Sequence, residues 1–424
     1  MGNNGPHKNP ILTLCTPQRL LDTSSAAAAA LRMSMLSTSI AHLENELTAR
    51  EKRRRGCGCR CQNQGRDGDS NGDLNMERNR LQDEDPHLDR GRAAYLHVRD
   101  RLREVGKRFK TAALANIVLV EEDESDQFDT VLATCVIIMM RDVISASDWS
   151  ENFEYAIRLV SKRGGPQAVL SSDPTNFTRR FLLENLTTHD IFSCFITQKE
   201  PVLMDRFDPW WYSCIETSSR SWEWESVERT FGISRGMVDF IARVVTLNAQ
   251  KRRLRIDFTS PASDAGMYKV ESFMRRQAES LLLELDVWHN GLSTLSQHVR
   301  VDCGDYIYKY MCCVYILGEI LDQPVNTPRI TSSIDYVLEL CSEATALRQV
   351  VMLVWPLLIC GSFCLSSVRG KVLSLLDAFE DDYCEDLRVA REIVLEQWKC
   401  MDEGLGRRSF GEVMMRIGKY VLLI

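Results

Sequence analysis

Twenty consecutive residues, Gln349 to Val368, carry no formal charge, and Trp355, Pro356 and Gly361 lie among them. A run reading VVMLVWPLLICG has to be enclosed by the rest of the chain, because leaving apolar surface in water costs roughly 25 cal/mol per Å2. Pro356 removes a backbone donor and crowds the turn before it, so the pattern predicts a helix that kinks or restarts there. Behind it, Leu365, Val368, Val372, Leu376 and Phe379 recur at helical spacing, as do Leu387, Ala390, Val394, Trp398 and Met401. Three consecutive helices around one core are predicted. The stretch is also long enough to be weighed as a membrane span. Pro356, Gly361, Ser362, Ser366 and Ser367 lower its hydropathy and its neighbours are patterned as amphipathic helices, so a buried core helix is the reading adopted.

From Ala93 onward the helical period dominates. Trp149, Phe153, Ile157 and Val160 make one face, which Gly164-Gly165-Pro166 brings to a stop. Met267, Val270, Met274, Leu281, Leu285 and Trp288 line a longer helix, and Ile307, Tyr310, Val314, Leu317 and Leu321 another that ends before Pro324. Ser332, with Asp335 three residues on, has the form of a capping box for the next. Trp210, Trp211, Trp222 and Trp224 gather around a serine-rich turn and read as core anchors, with some surface left for a partner. Strand-like alternation of any length is missing. The predicted fold class is therefore all-α, a multi-helix bundle of about a dozen helices with a largely disordered N-terminal region.

That region, residues 1–90, differs in kind. Met33, Leu36, Ile40, Leu43 and Leu47 are spaced 3-4-3-4, an amphipathic helix too short for a coiled coil. Lys52-Arg53-Arg54-Arg55 follows, and the Gly, Asp and Asn density of residues 56–90 reads as a linker. The predicted division is residues 1–90, with the short helix and the basic run, and a helical domain over 91–424.

Trp355-Pro356, Gly361 shortly after, Arg369 opening the next helix and Trp398 in the helix beyond resemble the C-terminal part of the fungal-specific transcription factor domain. That domain is the regulatory region of zinc-binuclear-cluster activators. Val421 to Ile424 share the likeness, as do, less specifically, Gly232 to Leu247 and Trp149 to Gly165, so it covers roughly residues 91–424. The resemblance implies a helical module mediating activation, dimerisation or effector response, usually for genes of nutrient use or secondary metabolism. It also implies six cysteines in CxxC pairs holding two zinc ions, and these are not found. Cys57, Cys59 and Cys61 alternate with single residues, a spacing at which adjacent ligands cannot close a tetrahedral site alone.

A net charge of -7 over 424 residues argues against a protein body that coats DNA or a membrane. Most of the 15 cysteines, including Cys135, Cys194, Cys312, Cys313, Cys341, Cys360 and Cys364, fall in apolar helical patterns and read as buried reduced thiols. With no secretory segment at the start, a reducing compartment follows, and the sequons at Asn176 and Asn185 are chance matches. The first 43 residues hold one acid, Asp22, and weakly fit a mitochondrial presequence. Lys52, Arg53, Arg54 and Arg55 suit nuclear import, or equally a solvated charge patch. A second basic run, Lys251-Arg252-Arg253-Leu254-Arg255, reads as cations complementing a helix C-terminus.

Three motifs imitate catalysis. Gly232-Ile233-Ser234-Arg235-Gly236 matches the GxSxG nucleophile elbow, but the segment before it is charged and helical where an elbow needs a buried strand, so Ser234 reads as a helix N-cap. Asp381-Asp382-Tyr383-Cys384-Glu385 imitates the acidic cluster of all-α terpene cyclases, yet only 39 residues follow for a second metal motif, and acids before a helix suit its dipole. His189 and Asp190 are neighbours pointing apart on a helix and form no dyad. The expected function is that of a fungal transcriptional regulator of a metabolic or secondary-metabolite gene set, located in the nucleus. No catalytic residue, cofactor or metal is assigned. The expected partner is another transcription factor, a co-regulator or a second copy of the chain, with DNA reached indirectly or through a module missing from this chain. A non-DNA-binding co-regulator or scaffold and a terpene-cyclase-like enzyme are the alternatives.

Overall fold

The computed structural model describes residues 10–63, 86–120, 127–145, 147–204, 209–212, 226–257, 264–289, 299–346, 353–379, 385–419 and 421–422. Among them are sixteen α-helices, fourteen of seven residues or more, and no strand. They belong to two compact units, Pro17–Ser145 and Met1–Thr16 with Ala146–Ile424.

The Pro17–Ser145 unit holds α1 (Pro17–Leu21), α2 (Ala26–Asn63), α3 (Pro86–Val118) and α4 (Phe128–Ile144). Position 90 thus falls inside α3 and not between units, while residues 64–85, the middle of the expected linker, lie outside the described residues. The face that α2 buries is only partly the predicted one. Ala27, Ala28, Ala30, Leu31, Ser34, Ser37 and Ala41 are buried and Ile40 is half-buried, whereas Leu36 and Leu43 stay 42% and 43% exposed. Short side chains let two helix backbones approach closely, and here α2 meets α3 in antiparallel sense. Ser37 Oγ donates to the Gly106 carbonyl at 2.7 Å, and a Cβ built on Gly106 would sit 3.2 Å from Ile40 Cγ2. On its other side α2 runs beside α4, where Asn45 Nδ2 donates to the Ile144 carbonyl at 2.6 Å. α4 is enclosed along most of its length, and its buried Asp142 carboxylate is matched by Lys110 Nζ at 2.7 Å and Arg141 Nη1 at 2.8 Å.

The larger unit holds twelve of the described helices: α5 (Ser150–Lys162), α6 (Gly165–Ser171), α7 (Phe177–Thr197), α8 (Ser226–Phe231), α9 (Arg235–Asp257), α10 (Asp264–Val287), α11 (Val299–Tyr315), α12 (Pro328–Ala346), α13 (Val354–Phe363), α14 (Arg369–Phe379), α15 (Glu385–Asp402) and α16 (Phe410–Ile417). α5 buries Phe153, Ala156 and Val160, and Gly164 at φ +86° ends it, a left-handed angle that a Cβ disfavours. α7 is enclosed from Leu182 to Phe195 on every side, which makes it the central rod of this unit. Asn176 caps its start by accepting from the Arg179 amide at 2.9 Å. α16 opens with a capping box between Ser409 and Glu412.

Several local expectations are corrected. α12 begins at Pro328, so Ser332 and Asp335 lie inside it and cap nothing; proline at the first helical position was the start signal. Leu365 is extended and 37% exposed, and Val368 belongs to a short 3-10 turn, so the apolar face of α14 is carried by Val372, Leu375 and Leu376. The basic run beginning at Lys251 sits in the last turns of α9, but its cations pair elsewhere. α11 continues into a π-helical turn, Ile316–Ile320, and Lys251 Nζ donates to the Glu319 carbonyl and to Asp322 Oδ2, both at 2.8 Å. Arg252 reaches the Glu319 carboxylate at 2.9 Å and Arg253 reaches Glu200 at 3.2 Å. Within the π turn, Gly318 is required by contact, since a Cβ there would lie 2.1 Å from the Phe363 ring.

Candidate functional site

Pro356 is the third residue of α13, where its missing N–H is one of the donors any helix start leaves unpaired; the first helical bond is Leu357 N to the Leu353 carbonyl at 3.0 Å. The proline therefore opens the helix without kinking it. The neighbouring Trp355 is fully enclosed. Its ring stacks on Tyr308 of α11, with centroids 5.4 Å apart and planes 15° from parallel. Phe195 of α7 lies 4.8 Å away, and Phe192 meets the indole edge-on at 6.3 Å. One side chain thus ties α7, α11 and α13 together.

Further along α13, Gly361 makes the contact with α15. A Cβ there would sit 2.6 Å from Val394 Cγ2, so only glycine lets the two helices come this close. The Gly361 carbonyl accepts from Trp398 Nε1 at 2.7 Å, which gives the buried indole the partner it needs. Arg369, at the first position of α14, lays its guanidinium 5.0 Å over the Trp398 ring and grips Asp402 with two N–H donors at 2.7 and 2.8 Å. A cation at a helix N-terminus is disfavoured by the macrodipole, so the Trp398 and Asp402 contacts account for it. The Asp402 hydrogen bonds hold the guanidinium above, and the Asp402 carboxyl below, its ordinary range. Trp355, Pro356, Gly361, Arg369 and Trp398 are joined in this way across α13, α14 and α15. The basic residues Lys52, Arg53, Arg54 and Arg55 lie on the backbone of α2, and their side chains are outside the described residues.

A second enclosed cluster surrounds the GISRG segment, and the helical period gave no notice of it. Glu184 of α7 accepts from Arg180 Nε and from Arg235 Nη1, both at 2.7 Å. Arg235 also donates its backbone N–H to Glu228 Oε1 at 3.0 Å, and its carbonyl accepts from Trp211 Nε1 at 3.2 Å. Burial raises the Glu228 carboxyl to about 7, against the pull of Arg235. Ser234 is the N-cap: its Oγ accepts from the Met237 amide at 3.2 Å, and its own amide donates to Asp305 Oδ1 at 2.7 Å. Helix α8, not a strand, precedes it and the hydroxyl is 98% enclosed with its residue, so this is no nucleophile elbow. Gly304 of α11 seats the loop, since a Cβ on it would overlap the Gly232 carbonyl at 1.9 Å. The signal available in the sequence was composition: Glu184, Asn185, His189 and Asp190 stand among the leucines and phenylalanines of this helix, and polar groups inside a rod buried on all sides need partners.

His189 and Asp190 face different partners. His189 Nδ1 donates to the Asn185 carbonyl at 2.7 Å, and burial drives the imidazole down to about 4. Asp190 Oδ2 accepts from the amides of Val202 and Leu203 at 2.6 and 2.9 Å. Among the described residues no group of three or more His, Cys, Asp or Glu is placed to hold a metal, and no helix is long and apolar enough to cross a membrane. Asp381 to Cys384, Trp222, Trp224 and the side chains of Cys57, Cys59 and Cys61 lie outside the described residues. Trp210 and Trp211 are fully enclosed core anchors.

No curated protein and no solved structure matches the chain. A family model does, that of the fungal specific transcription factor domain, and the match runs over residues 2–424. It takes in residues 2–90, which composition had set apart from the domain. The chain belongs to the fungal specific transcription factor domain family and is, in broad class, a fungal transcriptional regulator.

Proposed function

We propose that residues 2–424 are the regulatory part of a nuclear regulator controlling a metabolic or secondary-metabolite gene set. DNA is reached through a partner factor or a separate module, with a transcription factor, a co-regulator or a second copy of the chain docking on the helical body. The observation that carries this reading is the family match along the whole described chain. The enclosed polar groups agree with it: Arg235, Glu184, Ser234 and Asp305 are occupied in holding helices together, which is structural work and not turnover.

Fusing the full chain to a heterologous DNA-binding domain tests the reading directly. A reporter downstream of that domain's site is expected to change several-fold, in either direction; unchanged output from a promoter-bound fusion overturns it. Import is tested by replacing Lys52, Arg53, Arg54 and Arg55 with alanine in a tagged chain. The tag is expected to move from nucleus to cytoplasm, and a wild-type tag that never enters the nucleus removes the localisation.

A further inference from the structure

A cleft of about 330 Å3 lies between α5, α7 and the loop after α7. Trp149 and Phe153, an edge-to-face pair with centroids 5.4 Å apart, form one wall, and Ile157 and Val202 extend it. Asp190 forms the floor and is 97% enclosed. Among the described residues only one of its oxygens is used. Oδ2 takes the Val202 and Leu203 amides, while no described residue hydrogen-bonds to Oδ1 and no described cation pairs with the carboxylate. An asparagine would hold those two amides equally well, without the cost of enclosing a charge. The negative charge is therefore surplus to the fold. Burial raises the carboxyl to about 6, so it is mostly ionised at neutral pH.

We propose that this cleft binds a small molecule with a primary amine on an apolar, aromatic-sized body, the ammonium meeting Asp190 Oδ1 and the body lying against Trp149 and Phe153. An ammonium supplies the counter-charge the carboxylate lacks, and aromatic walls attract cations through the negative faces of their rings. The volume fits, since small-molecule sites begin near 300 Å3. Lys199, Arg158, Glu154 and Glu200 stand at the lining as well, so the rim carries both signs and the selectivity is assigned to the floor. This inference stands on the cleft alone and is independent of the reporter test above.

The probes are 2-phenylethylamine, 2-phenylethanol and phenylacetate, matched in shape and differing in charge, titrated against the full chain by ligand-observed NMR. The amine is expected to bind with a Kd on the order of 1 mM and at least about tenfold more tightly than either of the others. Amide hydrogen exchange across residues 190–204 is expected to slow with the amine bound. Asp190→Asn, which retains an oxygen for the loop amides, is expected to abolish the preference for the amine. Equal binding of the three probes, no binding of the amine, protection confined elsewhere, or an unchanged preference in a folded Asp190→Asn chain each overturns the proposal. If Asp190→Asn does not fold, the wild-type ranking and the exchange map still decide.

Discussion

Two regions of the molecule, the surroundings of Trp355 and the α2–α3 seam, solve helix packing by opposite means. Around Trp355 the contacts are made by large rings, with Tyr308, Phe192 and Phe195 filling the space between helices held apart by their bulk. Between α2 and α3 the contacts are made by what is missing, with Ala30, Ser34, Ser37, Ala41 and Gly106 allowing near-backbone contact. In the first region a side chain is the keystone and its removal leaves a void. In the second, side-chain volume itself is the threat.

The largest expected effect follows from the keystone. Trp355→Ala removes a fully enclosed indole from the junction of α7, α11 and α13 and is expected to destabilise the larger unit by about 3–5 kcal/mol. Hydrogen exchange read separately over the two units checks this. Protection lost equally in Pro17–Ser145 would break the contrast, because that unit would then depend on the aromatic core for its own stability.

Acid sharpens it next. Between about pH 6.5 and 4 the unfolded chain takes up a proton at His189 that the folded chain refuses, so this residue makes stability fall as pH drops, by roughly 2–3 kcal/mol over the window. Asp190 and Glu228 act oppositely: their carboxyls, raised by burial to about 6 and 7, hold protons more tightly when folded and soften the loss on acidification. His189→Gln retains a donor for the Asn185 carbonyl and removes only the first effect. Denaturant unfolding of both chains at pH 7 and pH 4.5 is expected to show a smaller acid loss in the variant; equal losses would mean that His189 is protonated in the folded state.

The same contrast explains what could be read before the structure. The aromatic core announced itself, because burying rings and branched chains at 3.6-residue spacing is the signal that periodicity detects, and Trp355, Val394 and Trp398 all lie where it placed them, inside. The small-residue seam was hidden by the same logic. Met33, Leu36, Ile40, Leu43 and Leu47 outweigh alanine and serine on any hydrophobicity scale, so the stripe drew attention to Leu36 and Leu43, which stay exposed, and away from the small residues beside Ile40. The partners of the α7 charges were illegible for another reason: Glu184 finds Arg235 across 51 positions of sequence, and no local pattern encodes a partner that distant.

The smallest effects discriminate best between the two faces of α2. Ala41 is 4% exposed on the seam, and Leu43, two residues on, is 43% exposed on the opposite side. If the seam is the packed face, Ala41→Leu inserts three carbons where backbones nearly touch and is expected to cost about 1–3 kcal/mol, although it adds apolar surface and a good helix former. Leu43→Ala is expected to stay within about 0.5 kcal/mol, as surface changes do. The ranking inverts the one hydrophobicity predicts, in which losing a leucine from an amphipathic stripe hurts and gaining one helps. Urea unfolding of the two variants, followed by exchange within Pro17–Ser145, measures both. A harmless Ala41→Leu together with a damaging Leu43→Ala would return the buried face of α2 to its leucines and end the distinction between the two kinds of packing.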